Sequence, residues 1–237
     1  MNLSVCSTLP YPASFHGVYF VTLRLRDALP RSFGQNLGLQ FYHQQLELAG
    51  KPDAEFRIHQ VRKKLFARFD EALDLEKYGP AYFRAPSLAK LLGNAIQDSA
   101  AFGVHAYSIL PNHVHLLLEF QEPGSGTLDI DSFEQINFEP LRKAIRSVQT
   151  ATESALQEAL EHLDKTEETN TFQARASPGM SAPKPELWHP QSFDFQIQDT
   201  RSFEKAKRYI LLNAAKAHLV DDWKAWPFTF WKNQTSL

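Results

Sequence analysis

The chain's readable pattern opens with a period of two. In GVYFVTLRLR, residues 17–26, Tyr19, Val21, Leu23 and Leu25 fall on one side and, toward the end, Thr22 and Arg24 on the other. Side chains alternate across a pleated backbone, so this run predicts a half-buried strand. Pro30 and Gly34 in DALPRSFGQN predict a loop. The period then becomes helical from Leu37 to about Leu73, with a break at Gly50 and Pro52, so two helices are predicted. The second carries Arg57, Arg62, Lys63, Lys64 and Arg68 and then acidic residues from Asp70 to Glu76, a pattern that reads as a solvated face. A further helix begins at Pro86, with Leu88, Leu91, Leu92, Ala95 and Ile96 at helical spacing and Gly103 near its end.

Beyond Phe120 the pattern breaks into a loop over QEPGSGTLDIDSFEQINFEP. It becomes helical again where Leu141, Ile145, Val148, Ala155, Leu156, Ala159 and Leu163 form an apolar stripe. Residues 164–186 are polar and rich in Thr, Glu, Ser and Pro, as expected of a flexible linker inside one domain. LWHPQSFDFQIQDT predicts a last strand, and SFEKAKRYILLNAAKAHLV a helix opening near Thr200 or Ser202.

The run HAYSILPNHVHLLLEF changes the picture from fold to chemistry. Pro111 and Asn112 are turn residues, so the flanking strands are predicted to fold back as a hairpin. Alternation then places His113, His115, Leu117 and Glu119 on one face and Val114, Leu116, Leu118 and Phe120 on the other. The second face is wholly apolar and must be buried. The first presents two imidazoles two residues apart, ~6 to 7 Å between alpha carbons, from which both rings can reach one cation. A third ligand is open at this point: His105, His162, His189 and His218 are all available by residue type, and spacing selects none.

Composition adds limits. Of 237 residues, 43% are hydrophobic and 22% charged, ordinary for a folded soluble chain and against a disordered or fibrous one. The net charge of -2 argues against coating nucleic acid by charge alone and leaves room for a local basic patch. The single Cys6 cannot close an internal disulfide, and a reducing compartment follows as the expectation. MNLSVCSTLPYPASF lacks a basic start followed by an apolar run, and no segment approaches membrane-spanning length, so a cytoplasmic location without a membrane partner is expected.

On the last helix, Tyr209 and Asn213 are four residues apart and share a face, with Lys205 a turn before and Lys216 close after. Phe203, Ala206, Ile210, Ala214 and Ala217 form the packing side. Taken together, LPNHVHLLLEF, RYILLNAAKAHLV, the first strand GVYFVTLRLRD and the closing WPFTFW make the chain resemble the REP-associated tyrosine transposases. These are a branch of the single-tyrosine transposases in the HUH endonuclease superfamily. The resemblance covers both ends and the middle of the chain and is loose over residues 37–78 and 124–186.

The resemblance implies an α+β fold, an antiparallel sheet of ferredoxin-like type with helices packed on one face and the histidine strand at its centre. Residues 1–237 would form one domain, with a helical insertion at about 37–78 and a helical plus flexible insertion at about 124–187. It makes His113 and His115 ligands of a divalent metal, magnesium or manganese, puts Asn213 in the position of the third ligand and makes Tyr209 the nucleophile. Asn213 is followed by Ala214 where the family commonly has proline. The implied activity is cleavage and rejoining of single-stranded DNA near a hairpin through a covalent phosphotyrosine, in a monomer or homodimer. Arg24, Arg26, Lys205, Arg208 and Lys216 are candidate DNA contacts, and Trp188 or Trp231 candidate stacking groups. Two other functions fit the same residues: a domesticated protein that binds a DNA hairpin without cutting, and a hydrolase in which the histidine pair activates water and Tyr209 is incidental.

Overall fold

The structure is a computed structural model and describes residues 17–120, 145–146, 148–150, 152–153, 156–160 and 186–232. Strand β1 (Gly17–Arg24) is followed by helices α1 (Arg31–Leu48), α2 (Ala54–Asp74) and α3 (Pro86–Gln97). Next come the hairpin of β2 (Gly103–Leu110) and β3 (His113–Phe120), strand β4 (Phe193–Ile197), helix α4 (Thr200–Lys216) and a short strand β5 (Thr229–Trp231). The sheet order is β4-β1-β3-β2-β5, with every neighbouring pair antiparallel. Without β5 the strand order, β4-β1-β3-β2, is that of ferredoxin-like sheets, and the α+β class expected from the sequence is the one observed. The histidine strand is the central one. Pro111 and Asn112 make the two-residue turn, with Leu110 paired to His113 across it.

The apolar alternation decides which side of the sheet becomes the main core. Tyr19, Val21, Leu23, Val114, Leu116, Leu118 and Phe120 all point to one face. There they meet Leu88, Ala89, Leu92 and Ile96 of α3 and Ile145, Val148 and Leu156 of the helical residues between 145 and 160. Pro86 starts α3 as its first helical residue, a position where the missing amide hydrogen is not needed. Helical cover extends to the opposite face as well. Phe20, Ala106 and Leu117 pack there against Ala206 and Ile210 of α4, with Phe66 of α2 at the margin. Asp199 caps α4 by accepting from the Ser202 amide.

Three local expectations are corrected. Helix α1 starts at Arg31, directly after Pro30, so Gly34 lies inside a helix where a loop was expected; proline fixes the entry and nothing crowds the glycine. The first strand is buried on both sides from Tyr19 to Arg24, because α2 and α4 cover the Thr22 and Arg24 side. Strand β5 was not expected; it is three residues long and is held by pairing with β2. The expected loop after Phe120 and most of the expected linker over 164–186 lie outside the described residues, as does part of the helix over 141–163.

Candidate active site

Thr22 and His115 are partners across β1 and β3, as are Arg24 and His113. Both imidazoles therefore rise from the sheet's centre toward α2 and α4, and both are fully buried. Their rings lie 4.8 Å apart at 77°. Each Nδ1 is committed: His113 Nδ1 lies 2.6 Å from Asn112 Oδ1 and His115 Nδ1 2.8 Å from Thr22 Oγ1. An amide oxygen only accepts, so His113 carries its proton on Nδ1 and turns the bare lone pair of Nε2 inward. Asn112 also donates to the Leu73 carbonyl at 3.0 Å, which ties the histidine turn to the last turn of α2.

That helix supplies the group that the sequence reading missed. Asp70 is completely buried, and its Oδ1 sits 3.0 Å from His115 Nε2 and 3.9 Å from His113 Nε2. The three atoms converge without hydrogen-bonding one another, and each is buried with no hydrogen-bond partner among the described residues. Buried polar atoms are ordinarily satisfied, so three orphans aimed at one point ask for a ligand between them. Their ligand atoms all lie within 4.8 Å of one another, the spread of a group that could hold a metal ion. Two nitrogens and a carboxylate, with each imidazole held from behind, fit a divalent metal. Asp70, His113 and His115 form the group of metal-binding type found among the described residues.

The other oxygen of Asp70 faces the tyrosine. Tyr209 Oη donates to Asp70 Oδ2, and Lys216 Nζ lies 2.6 Å from the same oxygen, 3.2 Å from Asp74 Oδ2 and 3.3 Å from the phenol. The Tyr209 ring packs near His115, Phe20 and Phe66, with centroids 5.7, 5.9 and 5.8 Å away. One carboxylate thus bridges the imidazole pair and the phenol. Asn213, one turn after Tyr209, is buried, and neither of its amide atoms has a partner among the described residues.

Electrostatics follow from this crowding. Burial works to raise the Asp70 carboxyl, but His115, then His113 and Lys216, outweigh it and hold it well below the usual carboxylate range. Asp74 is pushed up to about 6 by burial and by the Asp70 charge. Burial, helped by His115, lowers His113 to about 3, so its ring is neutral and free to ligate at pH 7. Burial raises the Tyr209 phenol far above its ordinary value, and the Asp70 and Asp74 charges add to the shift. The phenol is protonated here.

The structure brings together His113, His115, Tyr209 and Lys216 and adds Asp70. The other residues nominated from the sequence scatter. Arg24 is buried, with its guanidinium 5.7 Å from the Phe69 ring, and Arg26 pairs with Glu186. Lys205 and Arg208 are exposed on α4. Lys216, a candidate DNA contact from the sequence, is engaged with the carboxylates of Asp70 and Asp74. Trp188 is 3% exposed and donates to Thr152 Oγ1, so it is core and not a stacking platform. The acidic run beginning at Asp70 was read as solvated; the available signal was the four-residue spacing of Asp70 and Asp74, which puts both on the helix face that also carries Phe66.

No protein-family model and no curated protein matches the chain. Among solved structures it is similar to one described as a REP-associated tyrosine transposase bound to a REP hairpin. That match has 16% identity, covers 94% of this chain and 81% of the other, and has a TM-score of 0.41.

Proposed function

We propose that this protein is a metal-dependent single-stranded DNA endonuclease and strand transferase in which Tyr209 is the nucleophile. The observation that carries the reading is the bridging position of Asp70, with one oxygen facing the unpartnered nitrogens of His113 and His115 and the other bonded to the Tyr209 hydroxyl. His113, His115 and Asp70 would hold a divalent ion, magnesium or manganese, which would neutralise charge on a phosphodiester and make it more electrophilic. Asn213 is a further candidate ligand from α4.

The chain's own residues do the rest. His113 and His115 are fixed in orientation by Asn112 and Thr22, which keeps their free nitrogens aimed inward. Tyr209 Oη forms a bond to phosphorus while the bond from phosphorus to the departing strand's oxygen breaks. The phenol proton passes to Asp70 Oδ2, which it already faces, and the departing oxygen takes up a proton from solvent, so that strand leaves with a free hydroxyl. Lys216, 3.3 Å from the phenol oxygen, places a positive charge where phenolate character develops. The phosphotyrosine conserves the phosphodiester energy, so a second strand's hydroxyl can displace Tyr209 and complete the transfer. The DNA partner is a strand bearing a hairpin, and the working unit a monomer or homodimer. Among the described residues no helix is long and apolar enough to cross a membrane.

The test is incubation with labelled hairpin-bearing single-stranded DNA and magnesium or manganese, followed by denaturing electrophoresis. A denaturant-resistant adduct is expected, lost in Tyr209→Phe with binding retained. Binding with no adduct would mean a hairpin-binding protein that does not cut. Cleavage that survives Tyr209→Phe would mean a hydrolase that activates water.

A further inference from the structure

A cavity of about 620 Å³ opens on the side of α2 turned away from Tyr209. Leu65 and Phe69 line it, each one residue before the Phe66 and Asp70 that face the tyrosine, so the helix itself divides the two spaces. Phe193 completes the partition, its ring 4.5 Å from that of Phe66 and 6.3 Å from that of Phe69. The other walls come from the end of β1, the start of α1 and the residues leading into β4. Three arginines meet there, and the proposed reaction uses none of them. Arg24, 8% exposed, lies innermost, with its guanidinium 5.7 Å from the Phe69 ring, while Arg31 is exposed. Glu186 engages Arg26 from outside the lining. Among the described residues the lining holds one acidic side chain, the exposed Asp27. His189 reports the resulting field. Burial first, then the Arg24 charge, lowers its imidazole to about 4, and Arg26 adds more than Asp27 takes away. The ring is neutral at pH 7 and the potential around it is positive.

We propose that this cavity binds a small phosphate monoester with a flat organic body, free in solution and of the size of a nucleoside monophosphate. Guanidinium forks match phosphate oxygens, and a doubly charged monoester suits more than one of them. Arg24 and Arg31 are the groups that hold the phosphate. Leu29, Leu37, Leu65 and Phe69 offer apolar surface to the body, and Gln35 and Gln191 offer uncharged polar groups to its edge. The volume falls within the roughly 300–1,000 Å³ of small-ligand pockets, which combine apolar lining with a few placed polar groups. The first turn of α1 carries no acidic residue and no side-chain cap, so that end of the helix does not oppose an anion. Binding there does not depend on Tyr209 acting as nucleophile.

The probe is deoxythymidine 5′-monophosphate, titrated calorimetrically into the full chain. Saturable binding at one site per chain is expected, with thymidine, which lacks the phosphate, and inorganic phosphate, which lacks the body, each about tenfold weaker or more. Arg31→Ala, at an exposed position, should weaken the nucleotide about tenfold, whereas Arg57→Ala, equally exposed on α2 and outside the cavity, should change nothing. Gly34 lines the cavity inside α1, and an added Cβ there meets nothing within 4 Å. Gly34→Leu should therefore fold, with its thermal midpoint unchanged or raised, and fill the cavity so that nucleotide binding is lost. No saturable binding, or an affinity that neither Arg31→Ala nor Gly34→Leu alters, overturns the site. A 5′-phosphorylated deoxythymidine decamer that binds about a hundredfold tighter than the mononucleotide, and loses that advantage in Gly34→Leu, also overturns it, because the cavity would then belong to a strand end.

Discussion

The two faces of β1 and β3 are built from alternate residues of the same strands, yet they follow opposite rules. On one face Leu23, Val114, Leu116 and Leu118 are no more than 1% exposed and touch other apolar side chains. On the other, Thr22, His113 and His115 are equally buried, beside Asp70 and Asn213, and several of their polar atoms have no partner among the described residues. A buried donor or acceptor left unsatisfied costs about 1–3 kcal/mol. The wholly apolar face therefore stabilises the fold throughout, whereas on the other face the polar group is held at a cost beside the packing of Phe20 and Leu117. Retaining such groups at the centre of a sheet makes physical sense when something binds between them.

The contrast can be broken from either side. The largest expected effect is on the polar face: His115→Ala should lower adduct formation by more than the 10–100-fold typical of removing a ligand's supporting partner, as measured by single-turnover cleavage. The fold should persist, visible in an unchanged far-ultraviolet spectrum. Leu116→Ala, one residue away on the apolar face, should do the converse. Denaturant unfolding is expected to show a loss of about 2–5 kcal/mol, while the folded fraction binds manganese with unchanged affinity.

Smaller changes sharpen the same contrast. Thr22→Val removes the hydroxyl behind His115 at almost constant volume, and calorimetric titration should show manganese affinity falling about 10–100-fold. Lys216→Met leaves Asp70 and Asp74 without their ammonium partner. Because Lys216 is nearly half exposed, the loss in ion-free protein should be roughly 1 kcal/mol. Saturating manganese should shrink that loss, since a bound cation then offsets the Asp70 charge; a loss identical with and without manganese would place the ion elsewhere.

What the sequence disclosed depended on how local the cause was. The β2–β3 hairpin was legible because Pro111 and Asn112 interrupt two alternating runs, and alternation alone assigned His113 and His115 to one face. Tyr209 and Asn213 were legible as neighbours through their helical spacing. Asp70 was not. Its burial is a tertiary outcome: α2 crosses the histidine face with Leu73 in the apolar core, and the spacing of Phe66, Asp70 and Asp74 places them on one helix face without saying what that face packs against. The two-sided burial of β1 was hidden for the same reason, because Thr22 and Arg24 look solvent-facing until α2 and α4 cover them. The resemblance supplied a third ligand from α4, whereas the geometry adds one from α2.

His113, His115 and Asp70 are expected to hold one divalent ion beside Tyr209. Pulsed electron paramagnetic resonance of the manganese-loaded protein tests it most directly. One ion per chain is expected, with nitrogen couplings from two imidazoles, reduced to one in His113→Ala and in His115→Ala. A manganese signal that shows only water protons, or that keeps both nitrogen couplings in those variants, would contradict it.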